Sequence, residues 1–234
     1  MKIVAFHFAG GNRYSFQKFS KNLSDFVVIE YPGRGMEFKE KLLSDINLLV
    51  ENLISKVKEE INLCDDYMIY GHSMGALVGY LICRRIQELG LKRPLRLIVS
   101  GRKSPSVKRK IILSHLPDNM FWEEVIKLGG IADELQNHSE LMEFYVPILK
   151  ADFKAIENYD HIKTEKLNLP IDVFYGRDED IEENEVMEWK NESTGNVSIT
   201  ILEGNHFFIF NNEDFFINYF NNLKKNQIYQ QTNA

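Results

Sequence analysis

Apolar positions along the chain fall into two alternating rhythms. Short runs that are apolar on both faces and rich in β-branched or aromatic residues occur at Ile3–Phe8, Phe26–Ile29, Tyr67–Tyr70, Leu95–Ser100, Ile171–Tyr175 and Val197–Leu202. Such runs predict strands buried between two helix layers. Between the second and third, Ile46, Leu49, Val50, Leu53, Ile54, Val57 and Ile61 repeat with a 3.6-residue period, which predicts one strongly amphipathic helix. A further helix is predicted after Gly75, with shorter ones over Glu185–Lys190 and Glu213–Leu223. Strand and helix thus alternate through most of the chain, the pattern of a mostly parallel sheet flanked by helices.

Two segments depart from that rhythm. Residues 117–160 carry helical pattern without a strand, and include Phe121, Trp122, Leu141, Met142, Phe144, Tyr145 and Phe153. An insertion of this kind predicts a helical lid over the strand ends, with ordinary crossover structure as the plainer alternative. Lys224–Ala234, rich in Asn and Gln, reads as a loose tail.

Length and composition narrow the class. The 234 residues suit one sizeable α/β domain, residues 1–234, and 44% hydrophobic with 26% charged residues is ordinary for a soluble globular chain. No apolar run reaches membrane-spanning length, and Met1-Lys2-Ile3-Val4 leads directly into the first strand run, without the pattern of a signal peptide. With only Cys64 and Cys83, reduced thiols and a cytoplasmic location are expected. A net charge of -6 argues against nucleic-acid binding.

The chemistry starts at Gly71-His72-Ser73-Met74-Gly75, a G-x-S-x-G sequence between a strand run and a helical run. A turn this sharp strains its central residue and lifts the serine hydroxyl above the sheet, at a helix N-terminus that favours developing negative charge. The competing reading is a glycine-rich turn whose serine only caps the helix. A serine nucleophile needs a base. Among six histidines, His206 lies just past the last strand, where a loop can return to the turn. His7 and His72 read as structural, and His115, His138 and His161 as surface or packing residues. The acid is expected after the fifth strand, in Gly176-Arg177-Asp178-Glu179-Asp180, where Asp178 is chosen and Glu179 and Asp180 stay open. The order serine, acid, histidine is that of the α/β-hydrolase fold. For an oxyanion, Met74 N–H follows the nucleophile, and Ala9 N–H in Phe8-Ala9-Gly10-Gly11 is the second candidate donor.

Taken in order, these pieces resemble the type II thioesterases that accompany nonribosomal peptide and polyketide synthases. Phe8-Ala9-Gly10-Gly11 with Tyr14-Ser15-Phe16, then Tyr31-Pro32-Gly33-Arg34-Gly35, then the serine turn, look like that family's motifs. So do Leu116-Pro117-Asp118, Leu128-Gly129-Gly130 and Pro147-Ile148-Leu149-Lys150-Ala151-Asp152 in the insertion, and Gly204-Asn205-His206-Phe207-Phe208 near the end. Two departures are Asn205, where a second glycine is more usual, and Glu179, where the family places an aspartate. The resemblance implies hydrolysis of acyl or aminoacyl thioesters on the phosphopantetheine arm of acyl- or peptidyl-carrier domains. It implies no metal or redox cofactor, and a monomer that docks transiently. Release of medium-length fatty chains is a related role. A carboxylesterase or lipase of free esters, and a non-catalytic binding protein on the same fold, are the rivals. Lys103, Lys108, Arg109 and Lys110 form a basic cluster that reads as a solvated loop.

Overall fold

A computed structural model describes residues 1–130 and 139–232. Six strands form one sheet in the order β2-β1-β3-β4-β5-β6, with every neighbouring pair parallel. They are β1 (Lys2–Phe6), β2 (Phe26–Ile29), β3 (Tyr67–His72), β4 (Leu97–Ser100), β5 (Ile171–Gly176) and β6 (Val197–Leu202). All six were predicted, with ends displaced by two residues at most. The helices are α1 (Gln17–Asn22), α2 (Ile46–Asn62), α3 (Met74–Glu88), α4 (Asp118–Lys127), α5 (Ser139–Glu157), α6 (Glu183–Met187), α7 (Phe208–Asn211) and α8 (Glu213–Thr232).

The two-residue period of the strands sorts their side chains into two cores. Val4, Phe6, Tyr67, Ile69, Leu97, Val99, Ile171 and Val173 face α2 and α3. Ile3, Ala5, Met68, Tyr70, Ile98 and Phe174 face the other way, toward Phe16, Phe19, Phe216 and Phe220. The seven residues of the predicted α2 stripe are its buried residues. Asp45 starts that helix by accepting hydrogen bonds from Asn47 N and Leu48 N, satisfying two of its free N–H groups.

Two expectations need correction, and one helix was not anticipated. The described part of the tail is helical, because α8 runs on through Thr232 rather than stopping at Leu223. Its buried Phe216 and Phe220 anchor the helix on the sheet, so the polar turns that follow continue an already nucleated helix. The helix expected over Glu185–Lys190 begins earlier as α6, and Glu188–Asn191 tighten into a 3-10 turn. Helix α1 had no sequence expectation; its six residues are too few to show a helical period.

The insertion contains α4 and α5, while residues 131–138, with His138, lie outside the described residues. Its helices share a small core of their own: Leu113, Phe121, Trp122, Val125, Val146, Leu149 and Phe153. Among the described residues no helix is long and apolar enough to cross a membrane.

Candidate active site

The turn between β3 and α3 is built around close backbone contact. A Cβ on Gly71 would lie 2.0 Å from the Gly75 carbonyl oxygen, and one on Gly75 would lie 2.0 Å from that of Phe6. Only glycine fits at either position. Between them Ser73 adopts φ 55° and ψ -113°, and is the one non-glycine residue with positive φ among those described. Its N–H is fixed to Ser100 O at 2.8 Å. Ser73 stands at the N-cap of α3, yet its hydroxyl makes no capping bond. The helix-cap reading therefore fails. Ser73 Oγ lies 2.9 Å from His206 Nε2 instead.

His206 Nδ1 in turn lies 2.6 Å from Glu179 Oε1. The expected acid, Asp178, is displaced by one position. Its backbone N–H donates to Gly204 O at 3.1 Å, which joins the acid loop to the histidine loop and leaves the Asp178 side chain exposed. Glu179 curls back so that Gly176 N–H donates to its Oε2 at 2.7 Å, and its side chain is 2% exposed. The longer glutamate reaches His206 from the position after Asp178, with one oxygen held by the backbone and the other free for the imidazole. Asp180 is exposed, and no hydrogen bond or ion pair joins it to His206.

The other histidines divide as expected where they are described. His72 is fully buried beneath His206, with ring centroids 5.2 Å apart, and its Nδ1 meets Ser100 Oγ at 3.0 Å. Burial pushes its pKa well below the usual imidazole value. His7 is also fully buried, and burial with the nearby Arg34 charge lowers its pKa to about 3. Both are neutral structural groups. His115 is exposed, and His161 meets the Tyr159 hydroxyl at 3.3 Å.

Ser73 and His206 open into a cavity of about 620 Å³, whose lining includes Phe8, Ala9 and Gly10 from the loop after β1 and Trp122, Leu149 and Phe153 from α4 and α5. Among the described residues, neither Ala9 N–H nor Met74 N–H is taken up by a hydrogen bond. Gly10 N–H, by contrast, donates to Asp152 Oδ2 at 2.8 Å. Asp152 also receives both Arg34 terminal nitrogens, at 2.5 and 2.7 Å. This buried ion pair ties the loop after β2, the loop after β1 and helix α5 to one point. Sequence reasoning quoted Arg34 and Asp152 within motifs but gave them no role, since a separation of 118 positions hides the pairing.

Serine, imidazole and carboxylate in this geometry can pass the serine proton to His206 while Glu179 fixes the tautomer and balances the imidazolium. A family model described as a thioesterase domain matches residues 1–222. The chain belongs to the thioesterase family. This thioesterase is 31% identical over 216 residues to the thioesterase PikA5 of Streptomyces venezuelae, covering 89% of this chain and 75% of that one. The solved structure of ClbQ, from the colibactin NRPS/PKS pathway, superposes with a TM-score of 0.90 at 27% identity, over 97% of this chain and 98% of that one. RedJ, a thioesterase from the prodiginine pathway of Streptomyces coelicolor, gives 0.84 at 30% identity, over 89% and 84%. These neighbours place the thioesterase in the α/β-hydrolase fold, as the order serine, acid, histidine and the family resemblance implied.

Proposed function

We propose that this thioesterase hydrolyses acyl or aminoacyl thioesters held on the phosphopantetheine arm of carrier-protein domains, clearing stalled or misprimed groups from a nonribosomal peptide or polyketide synthase. The observation that carries the reading is the continuous path Ser73 Oγ to His206 Nε2 (2.9 Å) and His206 Nδ1 to Glu179 (2.6 Å), opening into an apolar cavity. The synthase context is supported by relatives named for such pathways, among them the borrelidin type II thioesterase BorB and the yersiniabactin type II thioesterase YbtT.

In this mechanism Ser73 Oγ attacks the thioester carbonyl as His206 Nε2 takes its proton. The Ala9 and Met74 N–H groups receive the oxyanion. Collapse breaks the C–S bond, and His206 returns its proton to the departing thiolate. Water then adds to the acyl-serine, with His206 again as base, releasing the carboxylic acid and restoring the Ser73 hydroxyl. No step calls for a metal or redox cofactor. The partner is the carrier domain, met in the cytoplasm by a monomeric hydrolase domain with its lid at 117–160.

The test is release of an acetyl group from a phosphopantetheinylated carrier protein by the wild type and by Ser73→Ala. Rapid release that disappears in the variant supports the proposal. Equal, negligible release by both, with fast cleavage of a simple oxyester by the wild type, would transfer the assignment to a carboxylesterase.

A further inference from the structure

The basic cluster after β4 does not behave as one solvated loop. Lys103 Nζ lies 3.1 Å from Glu185 Oε1, and Lys110 lies 3.4 Å from the same oxygen and 3.5 Å from Glu182, so both are matched by carboxylates. Lys108 is exposed beside Asp160. Arg102 and Arg109 differ. Both line the cavity that holds Ser73, and among the described residues neither guanidinium has an ion pair or a hydrogen bond.

Arg102 Nε is shut off from solvent with no acceptor. Burial, reinforced by the neighbouring Arg109 charge, lowers the Arg102 pKa to about 9. Arg109 is lowered by burial as well, and its guanidinium lies 5.5 Å from the centre of the Phe153 ring. The carboxylate nearest in influence to Arg109 is Glu157, but Glu157 is engaged by Leu113 N–H at 2.7 Å and Ser114 N–H at 3.1 Å. Asp178 and Asp180 line the same cavity and pair with neither arginine. Two half-buried guanidiniums that share one cavity and repel each other, neither held in an ion pair among the described residues, are left with their charge only partly balanced, and an anion entering the cavity would supply what they lack.

Their position relates that anion to the reaction. Arg102 directly follows Gly101, and a Cβ on Gly101 would lie 3.4 Å from Glu179 Oε1. The chain enters Arg102 from beside Glu179, and both arginines line the cavity into which Ser73 and His206 open, together with apolar Leu113, Trp122, Phe153 and Ile156. The phosphate of a carrier arm is a diester fastened to the carrier domain, whose bulk holds it outside. The free end of an acyl group is the part of the substrate that travels inward. We propose that Arg102 and Arg109 form a subsite for a carboxylate at the far end of the acyl group, so that the substrates include carboxyacyl thioesters, the half-thioesters of dicarboxylic acids. This rests on the thioesterase reading for placing the acyl group in this cavity. Guanidinium forks matched to a carboxylate supply the recognition.

The experiment compares malonyl-, succinyl-, glutaryl- and adipyl-pantetheine with their methyl esters, which keep the chain and remove the charge. Binding is measured by calorimetry on Ser73→Ala, and hydrolysis on the wild type. At least one diacid is expected to bind about tenfold or more tightly than its ester, as a charged hydrogen-bonded pair implies. Adding Arg102→Met or Arg109→Met to Ser73→Ala should bring that ratio close to one, with Arg109→Lys retaining part of it. If no diacid binds better than its ester to Ser73→Ala, the subsite is refuted, whatever the arginine variants do. Preferential binding with no turnover of any thioester would keep the subsite and overturn the thioesterase reading. Turnover of esters and diacids alike, without a binding preference, would do the reverse.

Discussion

Replacing Glu179 by glutamine tests the site at the point where sequence and structure disagree. In the native loop Gly176 N–H donates to Glu179 Oε2 while Oε1 faces His206 Nδ1 at 2.6 Å. A glutamine in the same rotamer must keep its carbonyl oxygen on Gly176 N–H, because an amide NH2 there would meet another donor. Its NH2 then points at His206 Nδ1 and forces that nitrogen to accept. The imidazole proton moves to Nε2, the atom that must take the proton of Ser73. A wrong-tautomer change of this type lowers kcat by about 10⁴-fold in a serine protease, equivalent to about 5 kcal/mol of barrier. We expect a fall of about 10³- to 10⁴-fold in kcat for Glu179→Gln, with little change in KM. Asp178→Asn, whose side chain is exposed and whose structural tie is its backbone N–H, should stay within about twofold. Steady-state release of acetyl from a carrier protein measures both. A drop for Asp178→Asn as large as that for Glu179→Gln, or a Glu179→Gln enzyme within tenfold of wild type, would refute the assignment of the acid.

Other outcomes follow from the same contacts. Asp152→Asn leaves the buried Arg34 charge without its partner and should cost about 3 kcal/mol or more in urea denaturation; a loss below about 1 kcal/mol would show that the buried pair contributes little. Because Gly10 N–H is tied to Asp152, the same variant should also lower kcat through the loop that carries Ala9. His7 and His72 are neutral when folded but bind a proton near pH 6.5 once unfolded, so their contribution is complete above about pH 6.5 and is lost as the pH falls toward the His7 value of about 3. Denaturation between pH 7.5 and 5 should show stability falling below pH 6.5 with a slope approaching about 2.7 kcal/mol per unit for the two groups, and a flat profile would contradict their burial as neutral rings. Burial raises the Cys83 thiol far above its usual pKa, so a thiol reagent should modify it only after unfolding, and rapid native labelling at Cys83 would contradict this packing.

The sheet and the helix α2 were legible because burial on both faces, or along one stripe, leaves a period in the sequence. Ser73 and His206 were legible because the turn between β3 and α3 demands glycines at fixed spacing, and the histidine follows the last strand. The acid was not. Whether Asp178 or Glu179 reaches the imidazole depends on the bond from Asp178 N–H to Gly204 O, between two loops whose relative register no local pattern encodes. The arginines failed to stand out for a similar reason. A sequence shows that Lys103, Arg109 and Lys110 are cationic, but the carboxylates that neutralise the lysines come from Glu182 and Glu185, more than seventy positions away.

The backbone of Ser73 sets stability and turnover against each other. A non-glycine residue held at φ 55° and ψ -113° costs about 1–3 kcal/mol, out of the 5–15 kcal/mol that keeps a typical domain folded. Glycine would relax that strain, so Ser73→Gly should be the sturdier chain and an inert one. A laboratory selection for heat resistance alone would therefore reward loss of the proposed nucleophile. Only a selection that also demands product would hold the serine in place.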